Sequence, residues 1–450
     1  MQWRNLKGNL LTSYNKRTSS QKANGVNSLD TVFKYKAASA WDFPIFDSFS
    51  GGTMWAWGND AWTTNGTAYQ YKAFALTNSG ALNATFQAAG VSSPVQVGVA
   101  TNWLQVTSGN HCGLAIKTDG TLWGWGRNTF GSNTIGLGGG PIAYAKSTYT
   151  PTQIGALTNW SKVVTGVSYS TFAVKTDGTL WAWGYNVSGQ LGLGNTTNYS
   201  SPKQVGLLTN WRDVFPGKKR TFAIKTDGTL WAWGYNAQGQ LGLGNTTSYS
   251  SPKQVGSRTD WKQISNISAY LTIGLTNDGS MWFWGRDEAS ISIPNVAQYS
   301  PSFTSPILLS GSDKWLKMVS LSGARSPSAP LNLAAIKTDG TLWVWGPRSY
   351  IMASFGSVGS SSSPAATISP VLVDSSKNWI DVAITTYSGT TLSAIAAIKN
   401  DGTLWTWGQG SMGKLALNNV TSYSSPKQVG SATNWRRISG QGQHFFALRS

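Results

Sequence analysis

Short apolar runs with β-strand period, each bounded by turn residues, recur along most of the chain. Between Ser201 and Asn245 four of them follow one another: KQV, WRDVF, TFAIK and TLWAW. In the last, Trp231 and Trp233 stand two apart and share one face, while Leu230 and Ala232 share the other. A strand apolar on both faces belongs in a sheet packed between neighbours. Thr226-Asp227-Gly228-Thr229, ahead of it, reads as a type I′ hairpin, whose positive φ angles favour Asp-Gly. The pattern therefore predicts a four-stranded antiparallel unit.

The unit repeats. Trp-x-Trp followed by Gly begins at Trp55, Trp123, Trp181, Trp231, Trp282, Trp343 and Trp405, at spacings of 68, 58, 50, 51, 61 and 62 residues. A second series runs Trp103, Trp160, Trp211, Trp261, Trp315, Trp379 and Trp435, each with a proline nine residues before it. Four-stranded units of this length stacked in a ring make a β-propeller, and seven units predict seven blades. The chain stops after NWRRISGQGQHFFALRS, where a Trp-x-Trp strand should follow, and its first repeat starts in the middle, at GGTMWAWG. One blade is thus expected to be shared between the termini, closing the ring and removing an edge.

The pattern FAIKTDGTLWAWGYNAQGQLGLGN resembles the regulator of chromosome condensation repeat family, over Gly51 to Ser450. The resemblance implies an all-β, seven-bladed propeller with shared closure. It does not fix function, because the family includes the exchange factor for the GTPase Ran, a bacterial β-lactamase inhibitory protein and a plant ultraviolet photoreceptor. The photoreceptor's Gly-Trp-Arg-His-Thr motif is absent.

If the runs alternate up and down, the Asp-Gly turns and the Pro-to-Trp connections share one face. All the long connections, at 59–93, 127–150, 316–335, 347–369 and 380–397, then fall on the other. Propellers carry binding loops in this way. Within the insertion at 59–93, Tyr71–Leu76 followed by Asn78-Ser79-Gly80 reads as an extra hairpin. On the loop-rich face the sequence places Trp62, Tyr69, Tyr71, Phe130, Tyr144, Tyr149, Lys218, Lys219, Arg220, Arg325, Arg348 and Tyr350. Such aromatic and basic side chains suit sugars, anionic polymers or a protein epitope.

Composition narrows the chemistry. Lys and Arg number 35 against 17 acids, a net charge of +18 that points to anionic partners or simply to a shortage of acids. No run approaches a membrane span, the N-terminus lacks the apolar core of a secretory signal, and a single cysteine excludes an internal disulfide. His111 and His444 are the only histidines. His444, Cys112 and Arg220 occupy one repeat position, which argues for a structural role there. Gly408–Leu415 superficially fits a phosphate loop but has Leu415 where a metal-binding hydroxyl belongs, and it aligns with an ordinary turn. Lys117, Lys175, Lys225, Lys337, Lys399 and Arg449 recur at one position and read as a solvated strand end. The acids form no cluster, so neither metal nor cofactor is expected.

Residues 1–50 fall outside the repeat. This basic and apolar segment is expected to be an attachment arm that lays Trp3, Leu6, Leu10 and Leu11 on another subunit, leaving 51–450 as the propeller. The favoured reading is a non-enzymatic, macromolecule-binding propeller in a bacteriophage virion, capsid- or tail-associated. Its partners would be other virion proteins or a host-surface macromolecule, with nucleic acid not favoured. The alternative is a cytoplasmic or nuclear regulator resembling a small-GTPase exchange factor.

Overall fold

A computed structural model describes residues 51–58, 62–64, 67–69, 91–109, 112–126, 135–138, 148–166, 169–266, 270–286, 302–310, 313–320, 333–347, 366–386, 393–441 and 444–450. The arm at 1–50, with Trp3, Leu6, Leu10 and Leu11, lies outside them. From Gly51 onward the described residues form seven four-stranded antiparallel sheets. Each sheet is a meander opening on a strand of the second tryptophan series. The blade starting at Trp211 comprises Trp211–Pro216, Arg220–Lys225, Leu230–Gly234 and Tyr249–Gln254. First strands pack on one another around a closed circle, and fourth strands form the outer edges.

Closure uses both ends of the propeller. Trp435–Gln441 and His444–Arg449 from the C-terminus continue into Thr53–Gly58 and Val91–Gln96. The joint runs in unbroken register from Thr53 opposite Arg449 to Gly58 opposite His444.

The fourth strand starts earlier than the KQV run suggested. It spans Tyr199–Gln204 in one blade and Tyr249–Gln254 in the next, with Pro202 and Pro252 inside it. All seven repeat prolines lie in such outermost strands. Proline can sit there because its missing N–H faces away from the ladder, and it blocks pairing with another chain. Strand parity follows the expectation: first-to-second and third-to-fourth connections leave one end of the blades, Asp-Gly turns the other.

The turn itself differs. Gly228 alone has positive φ, at +78°, and its N–H donates to the Lys225 carbonyl at 3.0 Å while Lys225 N–H donates to the Thr229 carbonyl. Thr226 and Asp227 thus form a right-handed turn followed by a glycine bulge, not a type I′ pair. A Cβ on Gly228 would lie 1.8 Å from the Thr259 carbonyl oxygen, so the turn also abuts the connection to the next blade.

Tryptophans of both series build the core. Trp211 sits edge-on to Trp231 and Trp233, with centroids 6.0 and 6.1 Å away. Trp233 is fully buried and donates its Nε1–H to the Gln190 carbonyl, 2.8 Å away in the preceding blade's third-to-fourth connection. Thr221 Oγ1 donates to the same carbonyl. Trp284 and Thr272 treat Gln240 identically, and Trp57 uses Lys414. The connection is held in shape by buried Asn186, whose amide donates to the Asn195 and Thr197 carbonyls and whose oxygen accepts from Leu191 N–H. Each such loop latches its own blade to the next.

A polar belt ties the first strands together at all seven seams. Gln105 exchanges two hydrogen bonds with the Val163 backbone, and Gln263 does so with Met318. Lys162 pairs with Asp213, Lys317 with Asp381, and Arg212 donates to the Trp261 carbonyl. Ile438 N–H donates to Asp381, and Ser439 bonds Ser108 across the closing seam. Asp213 and Asp381, two of the acids outside the tight turns, are therefore spent on holding the ring.

Candidate interaction face

The end of the blades that carries the long connections is the candidate face. In three successive blades its backbone follows one scheme. The residue after the Trp-x-Trp-Gly glycine donates its N–H to the carbonyl of the residue before the second strand. These pairs are Tyr185 to Tyr169 at 3.0 Å, Tyr235 to Lys219 at 2.8 Å and Arg286 to Tyr270 at 3.1 Å. Their side chains are aromatic or cationic: two tyrosines in the first of these blades, Lys219 with Tyr235 in the second and Tyr270 with Arg286 in the third. Lys219 is exposed, with its ammonium 5.5 Å from the centre of the Tyr235 ring, and Arg286 is exposed as well. Cation and ring attract at this separation, so the lysine is presented in one arc.

Of the residues expected here, Lys218 is half-buried and Lys219 exposed. Arg220 must be corrected. It is 1% exposed and points between blades, where its guanidinium donates to Thr272 Oγ1 at 3.2 Å and the Leu271 carbonyl at 2.7 Å. Burial pulls it down to about 9, so it stays charged at neutral pH. It supports the face without forming part of it. Trp62 and Tyr69 are register partners in a two-stranded hairpin, Trp62–Thr64 with Thr67–Tyr69, which precedes the 71–80 stretch where one was expected; that stretch lies outside the described residues. Tyr149 lies in the outer strand Thr148–Gln153. Tyr71, Phe130, Tyr144, Arg325, Arg348 and Tyr350 lie outside the described residues.

The opposite face holds a second correction. The recurring cations are not solvated strand ends. Lys225 Nζ is 3.8 Å from the centre of the Trp231 ring and 5.3 Å from that of Trp211, and it is only 6% exposed. Lys117, Lys175, Lys337, Lys399 and Arg449 repeat the arrangement between their own two indoles. Beside each lysine the turn aspartate takes its bonds from the turn threonine. Asp119 is held below the ordinary aspartate value chiefly by the Thr121 hydroxyl and N–H.

No three His, Cys, Asp or Glu among the described residues converge to hold a metal. His444 and Cys112 are buried at the start of their second strands, like Arg220, and His444 packs edge-on to Phe446. Lys414 of the glycine-rich stretch is fully buried, and only a three-residue 3-10 turn, Ser411–Gly413, stands where a phosphate loop would open a helix. No helix of the described residues is long and apolar enough to cross a membrane.

Two lysines carry a pH signature. Burial lowers Lys262, in the first strand Trp261–Asn266, to about 7, and Lys414 to about 8. The unfolded chain, with lysines near about 10.4, holds more protons than the folded one between these limits, so stability rises with pH across that window. Melting temperature should climb by a few degrees from neutral to mildly alkaline pH, and the slope should flatten in Lys262→Met. A melting temperature that falls steadily over the same range would show that neither lysine is desolvated.

Comparison with known proteins agrees with the repeat and the fold. Residues 177–224, 227–266 and 401–448 match the Regulator of chromosome condensation (RCC1) repeat, and 160–190 match a second model of that description. The mouse E3 ubiquitin-protein ligase HERC2 is 29% identical over 323 residues, which is 71% of this chain but 5% of that protein. Regulator of chromosome condensation from Xenopus laevis is 33% identical over 104 residues, 23% of each chain. The chain thus spans well under two thirds of these curated relatives. Human WBSCR16 superimposes with a TM-score of 0.65 at 16% identity, covering 88% of this chain and all of that one. Prp20p from Saccharomyces cerevisiae, described with its binding to Gsp1p and histones, gives 0.64 at 15% identity and covers 90% and 93%. These two show a shared fold.

Proposed function

We propose that this chain, built from regulator of chromosome condensation (RCC1) repeats, is a non-catalytic protein-binding propeller that engages its partner through the loop-rich face. One observation carries the reading: the seven blades vary in connection length at only one end, where Tyr185, Lys219, Tyr235 and Arg286 stand along three successive blades. The buried polar groups described above serve seams, turns and latches, which leaves recognition to that end. The relatives lend no support to a virion role. They fit the alternative better, a regulator inside a cell with a protein partner. Exchange activity on a GTPase would need more than the fold shared with Prp20p.

A photo-crosslinking residue at position 235, compared with one at position 207, tests this. Leu207 is 91% exposed in a fourth-to-first connection at the opposite end. In extracts of the source cell, position 235 should capture a discrete protein and position 207 should not. Capture of that protein from position 207 alone would put the binding face at the wrong end.

A further inference from the structure

We propose that the face between Lys218 and Arg286 takes an acidic protein segment. The inference rests on the loop-face reading and adds the chemistry of its partner. Charge is partitioned along the propeller axis. Connections leaving the strands at the loop-rich end hold nine Lys or Arg, the buried Lys414 among them, against three acids. Those at the other end hold three against nine, and there the acids stand beside the strand-end cations seated on indoles. The loop end therefore carries an excess of positive charge, and an approaching acidic segment is steered to it.

The cations are also held in place. Gly217 N–H donates to the Arg220 carbonyl at 2.8 Å, closing the turn that carries Lys218 and Lys219. The buried Arg220 guanidinium pins that turn to the next blade through Leu271 and Thr272. Tyr235 N–H fixes the Lys219 carbonyl from a third side. A backbone tied at three points loses little further freedom on binding, which favours affinity. Arg220 is thus a positioning residue for its two exposed neighbours. Arg286, one blade on, supplies a further cation, with Tyr235 and Tyr270 offering aromatic surface between.

Sequence favours protein over nucleic acid. Asp287 and Glu288 directly follow Arg286. A phosphate backbone, charged at every nucleotide, would meet them with repulsion. A mixed segment can set its carboxylates on Lys219 and Arg286 and neutral residues elsewhere.

Fluorescence anisotropy of the full chain tests the idea with two labelled probes of equal net charge: a peptide alternating Glu with Leu and Tyr, and a single-stranded DNA oligonucleotide. The peptide should bind, and added salt should weaken it. Lys219→Glu and Arg286→Glu should each weaken it about tenfold. Lys377→Glu makes the same charge change on an exposed residue of the opposite face and should leave binding unchanged. Tighter binding of the oligonucleotide, or equal loss from Lys377→Glu, overturns the proposal. If crosslinking from position 235 succeeds while the peptide fails, the face stands and only its acidic partner is lost; failure of both removes the face too.

Discussion

Deleting Arg436–Ser450 should abolish the cooperative melting of the propeller and drive it to aggregate. The deletion removes most of Trp435–Gln441 and all of His444–Arg449, leaving Thr53–Gly58 without its inner partner. Buried Phe445, Phe446 and Leu448 go with it, and Trp435 loses the cluster that buries it. Four large side chains at about 1.5–3 kcal/mol each come to about 6–12 kcal/mol, as much as the whole net stability of an ordinary domain, about 5–15 kcal/mol. Strand Thr53–Gly58 would then be an apolar edge open to pairing with other chains. Calorimetry and size-exclusion chromatography give the answer. A truncated chain that melts in one transition at the temperature of the intact protein would show that the shared blade is dispensable.

Trp233→Ala should be the most damaging single substitution in its blade, costing about 3–5 kcal/mol. The indole fills the space between Trp211 and Phe172 of the preceding blade, at 6.1 and 6.2 Å, and it also anchors the latch through Gln190. Trp231→Ala should cost distinctly less. That indole is only half-buried and anchors no latch; besides its edge-on contact with Trp211 it meets Lys225 and the Thr229 hydroxyl. Urea denaturation of both variants separates them. Equal losses would mean that the latch contributes nothing beyond ordinary tryptophan burial.

Much of the fold was legible because its signals are periodic. Two tryptophan series, a proline and an Asp-Gly at fixed offsets leave few arrangements open, and the half-repeat at each end discloses the closure. What stayed hidden depends on convergence between strands. The sequence shows that Lys225 recurs, but not that Trp211 and Trp231, from two other strands of its blade, meet around its ammonium. Nor can it show that Arg220 turns inward while Lys219, one residue earlier, turns out. Asp-Gly serves both I′ turns and glycine-bulge turns, and only the φ of Asp227 separates them. On the candidate face Lys218 and Lys219 were visible as a run that breaks the repeat. Tyr169, Tyr185, Tyr235, Tyr270 and Arg286 were missed, although a signal existed. The residue after Trp-x-Trp-Gly takes five identities over the seven blades, from Asn59 and Arg127 through Tyr185, Tyr235 and Arg286 to Pro347 and Gln409, while the motif itself is unchanged.

The latch has a consequence for how such a chain grows. Every blade that carries the loop around Gln190 or Gln240 offers a hook on one side and the Trp-Thr socket for its neighbour's hook on the other. An interface of that head-to-tail kind is indifferent to which copy stands next, so a duplicated gene segment lands with both junctions already matched. Residues 171–206 and 221–256, which differ at four positions, are what such an event leaves behind. Circumference, not junction chemistry, then limits the count: an eighth copy would satisfy both neighbours and still have to widen the circle of seam bonds that Asp213 and Asp381 help to close.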